Sequence, residues 1–195
     1  MFGRQEVVSK GKTVAQDDAR LLTRVMAGDR RAFEDLYRSY HPRLSHFLIR
    51  MLRRPALVEE VLNDTLLIVW NKADSYNGRS KVSTWVFGIA YRRALKALRK
   101  WDEPMEDAFA DKRPSDEAGP EQQLGQRQVN AVLGQAMADL SFDHRTVVDL
   151  AYFHEMGYRE IADIMDCPVD TVKTRMYHAR RNLRATLAGE LTDWL

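Results

Sequence analysis

Residues 157–187 read GYREIADIMDCPVDTVKTRMYHARRNLRATL, and their pattern decides the fold. Ile161 and Met165 lie one helical turn apart and face a core, while the small Ala162 lets a second helix approach closely. The run Asp166-Cys167-Pro168 makes a turn: Asp tolerates the left-handed conformation better than most residues, and Pro suits the first turn of the next helix. Val172 then packs that helix back against the first. The layout is a helix-turn-helix. Its second helix carries Lys173, Arg175, Arg180, Arg181 and Arg184 against one acid, Asp170. Thr171, Lys173, Thr174, Arg175, Tyr177, His178, Arg180 and Arg181 offer hydrogen bonds to phosphates and base edges, as a recognition helix in the major groove requires. The competing reading is a basic amphipathic helix that only packs in a bundle. Cys167, among apolar neighbours, reads as a small buried hydrophobe rather than a redox sensor.

Helical periodicity extends through most of the 195 residues, and no strand-turn-strand pattern is present, so the fold class is all-α. Asp17 or Asp18 can cap a first helix ending near Gly28. Asp29 can cap a second with Phe33, Leu36, Tyr37 and Tyr40 on one face, which Pro42 interrupts or kinks before apolar spacing resumes at Leu44. Pro55 opens a third helix that runs to about Ala73, and a fourth runs from about Ser83 to Lys100. Residues 102–121 hold eight acids, two bases and three prolines with almost nothing to bury, the composition of an acidic flexible linker. The expected organisation is a flexible N-terminus over 1–16 and two small helical domains over 17–101 and 122–190, joined by that linker. The helix-turn-helix falls in the second.

The segment from Ser75 to Lys100 contains seven Lys or Arg residues and no acid, although acids and bases nearly balance over the chain at a net charge of +2. Arg92, Arg93, Lys96, Arg99 and Lys100 share one half of a helical wheel, with Trp85 and Ile89 at its N-terminal end. The loop Tyr76 to Lys81, containing Asn77 and Arg79, adjoins that end. A duplex can lie along such a basic stripe while a separated strand stacks on its aromatics. The alternative for Trp85 is an ordinary core tryptophan.

Other classes are excluded or disfavoured. The single cysteine permits no disulfide framework within the chain and no cysteine-rich zinc site. No apolar run reaches the roughly 20 residues of a membrane span, and the N-terminus lacks the apolar core of a signal peptide, so a cytoplasmic protein without membrane insertion is expected. Glu60 and Asp64 are spaced i, i+4, but no histidine stands at ligand spacing beside them. His41, His46, His144, His154 and His178 are scattered. No catalytic residue, metal site or cofactor is expected.

Taken together, VEEVLNDTLLIVWNKADSYNGRSKVSTWVFGIAYRRALKALRK, the acidic stretch and REIADIMDCPVDTVKTRMYHAR resemble an extracytoplasmic-function (group IV) RNA polymerase sigma factor of the sigma-70 family over about residues 20–187. The resemblance implies a protein that binds core RNA polymerase and directs promoter recognition, DNA melting and transcription initiation. By it, Glu59, Glu60, Asn63, Asp64 and Trp70 grip the polymerase clamp. Tyr76, Asn77, Arg79, Lys81, Trp85, Arg92, Arg93 and Lys96 meet the −10 element, the loop capturing a flipped base. Thr171, Lys173, Thr174, Arg175, Tyr177, His178, Arg180 and Arg181 read the −35 element. An acid-free segment suits DNA contact, because a carboxylate there would repel phosphates.

The family's linker threads a basic polymerase channel, where acids mimic nucleic acid. Leu57 stands where the family commonly has an acid, Asn63 replaces a frequent glutamine, and Asp170 replaces a usual glycine, adding a repulsive or base-selective element. An anti-sigma protein is the further partner implied, the free chain is expected to be a monomer, and no additional C-terminal sensor domain is expected. The rivals are a two-domain helix-turn-helix regulator that acts without replacing a sigma factor, and a nuclease.

Overall fold

The computed structural model describes residues 17–101 and 132–192. The expected N-terminal tail, the acidic linker and the start of the second unit at 122 lie outside the described residues. Among those described there are helices and one 3-10 turn, with no strand.

The first unit comprises α1 (17–26), α2 (Arg30–Leu52), α3 (Pro55–Asn71), a 3-10 turn (Ala73–Ser75) and α4 (Val82–Trp101). Asp18 is no exposed cap: it is buried inside α1 and accepts a hydrogen bond from the Tyr40 hydroxyl. Asp29 does cap α2, its carboxylate accepting from the Arg31 and Ala32 N–H groups at 2.9 and 3.2 Å. Of the interruption or kink expected at Pro42, the interruption does not occur, since α2 runs through it to Leu52. Interior proline costs about 3 kcal/mol. Tyr40, Leu44, Phe47 and Leu48 around it are fully buried, and each such side chain returns about 1.5–3 kcal/mol, so packing overrides the local break. Pro55 opens α3 as expected, after an extended Arg54.

The second unit comprises α5 (132–138), α6 (Phe142–Tyr152), α7 (Tyr158–Met165) and α8 (Val169–Thr192). Ser141 caps α6 by accepting from the His144 N–H, and Asp166 takes the left-handed conformation (φ 50°, ψ 54°) that ends α7. Ile161, Ala162, Ile164 and Met165 of α7 are buried with Val172, Met176 and Ala179 of α8, which is the packing the sequence pattern requires of a helix-turn-helix.

The two units share one buried core, with α4 against α7 and α2 against α6. Arg145, on α6, is the main polar fastening. Its guanidinium donates to the carbonyls of Met137, Ala138 and Leu140 in its own unit, and to those of Arg50 and Met51 at 3.1 and 3.3 Å. The latter two are orphan carbonyls at the end of α2, so a residue of the second unit closes a helix of the first. Beside it, Arg50 pairs with the fully buried Asp149, and the His154 ring lies 4.6 Å from Phe87. The basic helix α4 is therefore covered on both sides over its first half: Val86, Phe87, Ile89, Ala90 and Tyr91 are all buried. Only its second half presents the stripe that the helical wheel assigns to the whole.

Candidate functional site

Three surfaces gather the residues singled out above. On α8 a stripe of Asp170, Lys173, Thr174, Tyr177, His178 and Arg181 faces outward, all exposed, with Tyr177 at 64%. It exists because Val172, Met176 and Ala179, on the opposite side, are buried. Thr171 is half-buried at its edge, and Arg180 is exposed with its guanidinium 5.7 Å from the Tyr152 ring. Arg175 is not on this stripe. Its guanidinium turns inward to the Asp143 carboxylate at 2.5 Å and to the Cys167 sulfur at 3.6 Å, leaving its side chain 25% exposed. Burial pushes the Cys167 thiol up from its ordinary value, the opposite of an activated cysteine.

The second surface is the loop before α4 and the exposed half of that helix. The Asn77 side-chain carbonyl accepts from the Arg79 N–H at 3.0 Å, Gly78 adopts φ +71°, and the Tyr76 hydroxyl donates to the Ser80 carbonyl. The loop is thus held in shape by its own bonds, with Asn77 and Arg79 in solvent. Tyr76 and Trp85 are half-buried with ring centroids 5.6 Å apart. Beside Trp85 a cavity of about 220 Å³ is lined by Ile68, Lys72, Ser75, Ile89, Arg92 and Arg93, with none of its walls drawn from residues 76–81. Arg92 and Lys96 are exposed. Two of the predicted bases are already paired: Lys81 with Glu160 at 2.9 Å, and Arg93 with Asp64.

The third surface belongs to α3. Glu59, Glu60 and Asn63 are exposed, whereas Asp64 turns to Arg93 and so joins α3 to α4. Trp70 is half-buried, 4.9 Å from the Phe33 ring. Both line a depression of about 450 Å³, together with Arg30, Tyr37, Asn63, Leu66 and Leu67. Leu67 is 56% exposed and Tyr37 36%. Phe33, Tyr37 and Leu67 were not among the predicted contacts. Leu67 was findable, as it stands one turn after Asn63 on an otherwise polar face. Among the described residues no His, Cys, Asp or Glu cluster could hold a metal, and no helix is long and apolar enough to cross a membrane.

A helical unit with an acidic and aromatic face, a basic loop-helix and a helix-turn-helix is the class of architecture found in sigma-70 proteins. Residues 36–102 match Sigma-70 region 2, and residues 131–183 match Sigma-70, region 4. The chain is 33% identical over 158 residues to the ECF RNA polymerase sigma factor RpoE of Cereibacter sphaeroides, covering 80% of this chain and 86% of that one. It is 28% identical to the RNA polymerase sigma-H factor of Pseudomonas aeruginosa, covering 91% and 97%. Its fold matches CnrH in complex with the cytosolic domain of CnrY (TM-score 0.67, 21% identity, 89% and 98% covered). It also matches the sigma factor RpoE of Bartonella quintana in complex with the anti-sigma factor NepR (TM-score 0.63, 24% identity, 80% and 96% covered). The chain belongs to the ECF sigma factors of the sigma-70 family, and it directs RNA polymerase to promoters.

Proposed function

We propose that the three surfaces divide the work of initiation. The α3 face, with Glu59, Glu60, Asn63 and the Phe33/Trp70 depression, grips core polymerase. The loop Tyr76 to Lys81 and the cavity beside Trp85 receive an unstacked base of the −10 element, while Arg92 and Lys96 hold the backbone beside it. The outward stripe of α8 reads the −35 element, with Lys173, Thr174, Tyr177 and His178 as its base-facing members. Arg175, Arg93 and Asp64 serve these surfaces as internal struts. The boundaries 17–101 and 122–190 fit this division, with the acidic stretch between them leading through polymerase.

The observation that carries this reading is the loop. Its backbone is fixed by Asn77 and Gly78 beside a half-buried tryptophan and an open cavity with cationic walls, which is what capture of a flipped base needs. The chain works in the cytoplasm without catalytic chemistry of its own and is monomeric when free. The Bartonella relative is seen with an anti-sigma factor, and an apolar groove of about 610 Å³ between α5, α6 and α8 supports a protein partner of that kind here. The test is a promoter-binding titration with and without core polymerase. Tight, sequence-specific binding that appears only with core is expected. Tight binding of duplex by the chain alone, with core polymerase making no difference, would instead support the free-standing helix-turn-helix regulator.

A further inference from the structure

The outward stripe of α8 contains one residue that its chemistry does not at first accommodate. Asp170 stands three, four and seven positions before Lys173, Thr174 and Tyr177, so all four share one helix face. Its side chain is 89% exposed and packs against no core. A bare carboxylate on a groove-facing helix is repelled by phosphates on both sides. Here it is not bare: Lys173 Nζ donates to Asp170 Oδ1 at 2.8 Å. That bond and the ammonium's charge hold the carboxyl below its ordinary value, so the helix carries a neutral acceptor-donor pair and not an isolated anion.

Such a pair has a matching partner in the major groove. The edge of a base pair presents a hydrogen-bonded donor and acceptor side by side, at the usual separation of about 2.9 Å, close to that between the Asp170 oxygen and the Lys173 nitrogen. In a C·G pair the carboxylate meets cytosine N4–H₂, on a base that adds no acceptor of its own in the major groove, while the ammonium meets guanine O6 with N7 beside it. In an A·T pair the carboxylate meets adenine N6–H₂ next to the N7 acceptor, which repels it, and the ammonium meets thymine O4 next to a methyl group. The difference favours C·G in one orientation.

We propose that Asp170 is a specificity-determining residue which, together with Lys173, selects a C·G pair at the end of the −35 element met by the N-terminus of α8. The proposal rests on the reading of α8 as the −35 reader. The experiment uses holoenzyme made from the full chain and core polymerase, with promoters randomised across the −35 element. It compares wild type with Asp170→Ala, Lys173→Ala and Thr174→Ala. Wild type is expected to favour C·G over A·T at one position, in one orientation, by about tenfold, the lower end of what one base contact discriminates. Asp170→Ala should lose that preference and keep the others. Replacing the selected cytosine by pyrimidin-2-one, which lacks the 4-amino group, should cost wild type a similar factor and Asp170→Ala almost nothing. An Asp170→Ala holoenzyme that tightens on every promoter alike with unchanged preference overturns the proposal and makes Asp170 a general repellent. Unchanged preference in Asp170→Ala, with shifts in Lys173→Ala and Thr174→Ala, overturns this inference alone. No shift in any of the three overturns both it and the assignment of α8.

Discussion

The two basic helices of the molecule use their charge in different ways. On α8 the cations and hydrogen-bonding side chains of the outward stripe are exposed, and the helix is held by a narrow inner row of Val172, Met176 and Ala179. On α4 the first half is packed between α2 and α3 of its own unit and α7 of the other, with Ser83 and Trp85 left half-buried. Of the bases in and before α4, Lys81 is paired with Glu160 and Arg93 with Asp64, while Arg92 and Lys96 stay open. A count of bases overstates the free charge of both helices, since on α8 Lys173 is paired with Asp170 and Arg175 with Asp143; what separates them is that α8 protrudes along a whole face while α4 is packed over its first half. The difference suits the tasks proposed for them. Duplex reading needs a protruding helix, whereas holding a separated strand needs a rigid platform with a cavity in it.

The contrast is sharpest in stability. Phe87→Ala on α4 should cost about 3–5 kcal/mol in urea unfolding, because its ring is fully buried among Phe47, His154 and Arg43. Tyr177→Ala on α8 should stay within about 0.5 kcal/mol. Similar losses at both sites would erase the distinction between platform and protrusion. Charge reversal at Glu60 and Asp64 together should weaken core polymerase binding by about 2–5 kcal/mol in a fluorescence titration. Most of that should come from Glu60, since Asp64 already faces Arg93. Lys173→Ala should cost about 1–3 kcal/mol at the −35 element and change base preference. Arg175→Ala, by contrast, should lower stability while leaving base preference unchanged, as judged by selection from a promoter library.

The smallest effect concerns pH. Burial alone would raise the Glu160 carboxyl, but hydrogen bonds from the Gly157 N–H, Lys81 and Thr84 outweigh it and hold the group below its usual 4.5. A depressed carboxyl stabilises the folded state above its unfolded value, and that contribution disappears as pH falls through the folded value. Acid titration of unfolding should therefore show a shallower loss below about pH 4.5 in Glu160→Gln than in wild type. Identical acid limbs would mean that the contact between α7 and the start of α4 does not form in solution.

Much of this was legible in the sequence, for reasons visible in single residues. Pro55, Asp29 and the Asp166-Cys167-Pro168 turn act through local backbone chemistry, so the structure repeats them. Pro42 does not end the helix because its effect is local whereas Tyr40, Leu44 and Phe47 around it are fully buried in the core. The candidate residues fall on coherent surfaces, but Arg175, Arg93 and Asp64 do not face outward, and periodicity could not reveal this. Each sits at the edge of a polar face, and its direction is set by a partner 29 or more positions away. The packing of one unit on the other through Arg145, Arg50 and Asp149 left no motif at all. These are polar residues that sequence reading assigns to solvent until the partner helix is in place.

The central claim is that the loop at 76–81 with Trp85 captures a base, whereas Arg92 and Lys96 hold backbone. It is tested most directly by comparing one promoter as closed duplex and as a pre-melted bubble, bound by holoenzymes carrying Trp85→Ala or the pair Arg92→Ala and Lys96→Ala. Trp85→Ala should lower open-complex formation on duplex by about ten- to a hundredfold, given roughly 1–3 kcal/mol per stacked base, and the bubble should restore most of it. The double variant should be weakened on both templates, with its salt dependence flattened by about one unit of log-log slope per lost phosphate contact. Equal rescue of both variants by the bubble, or rescue of neither, would contradict the account.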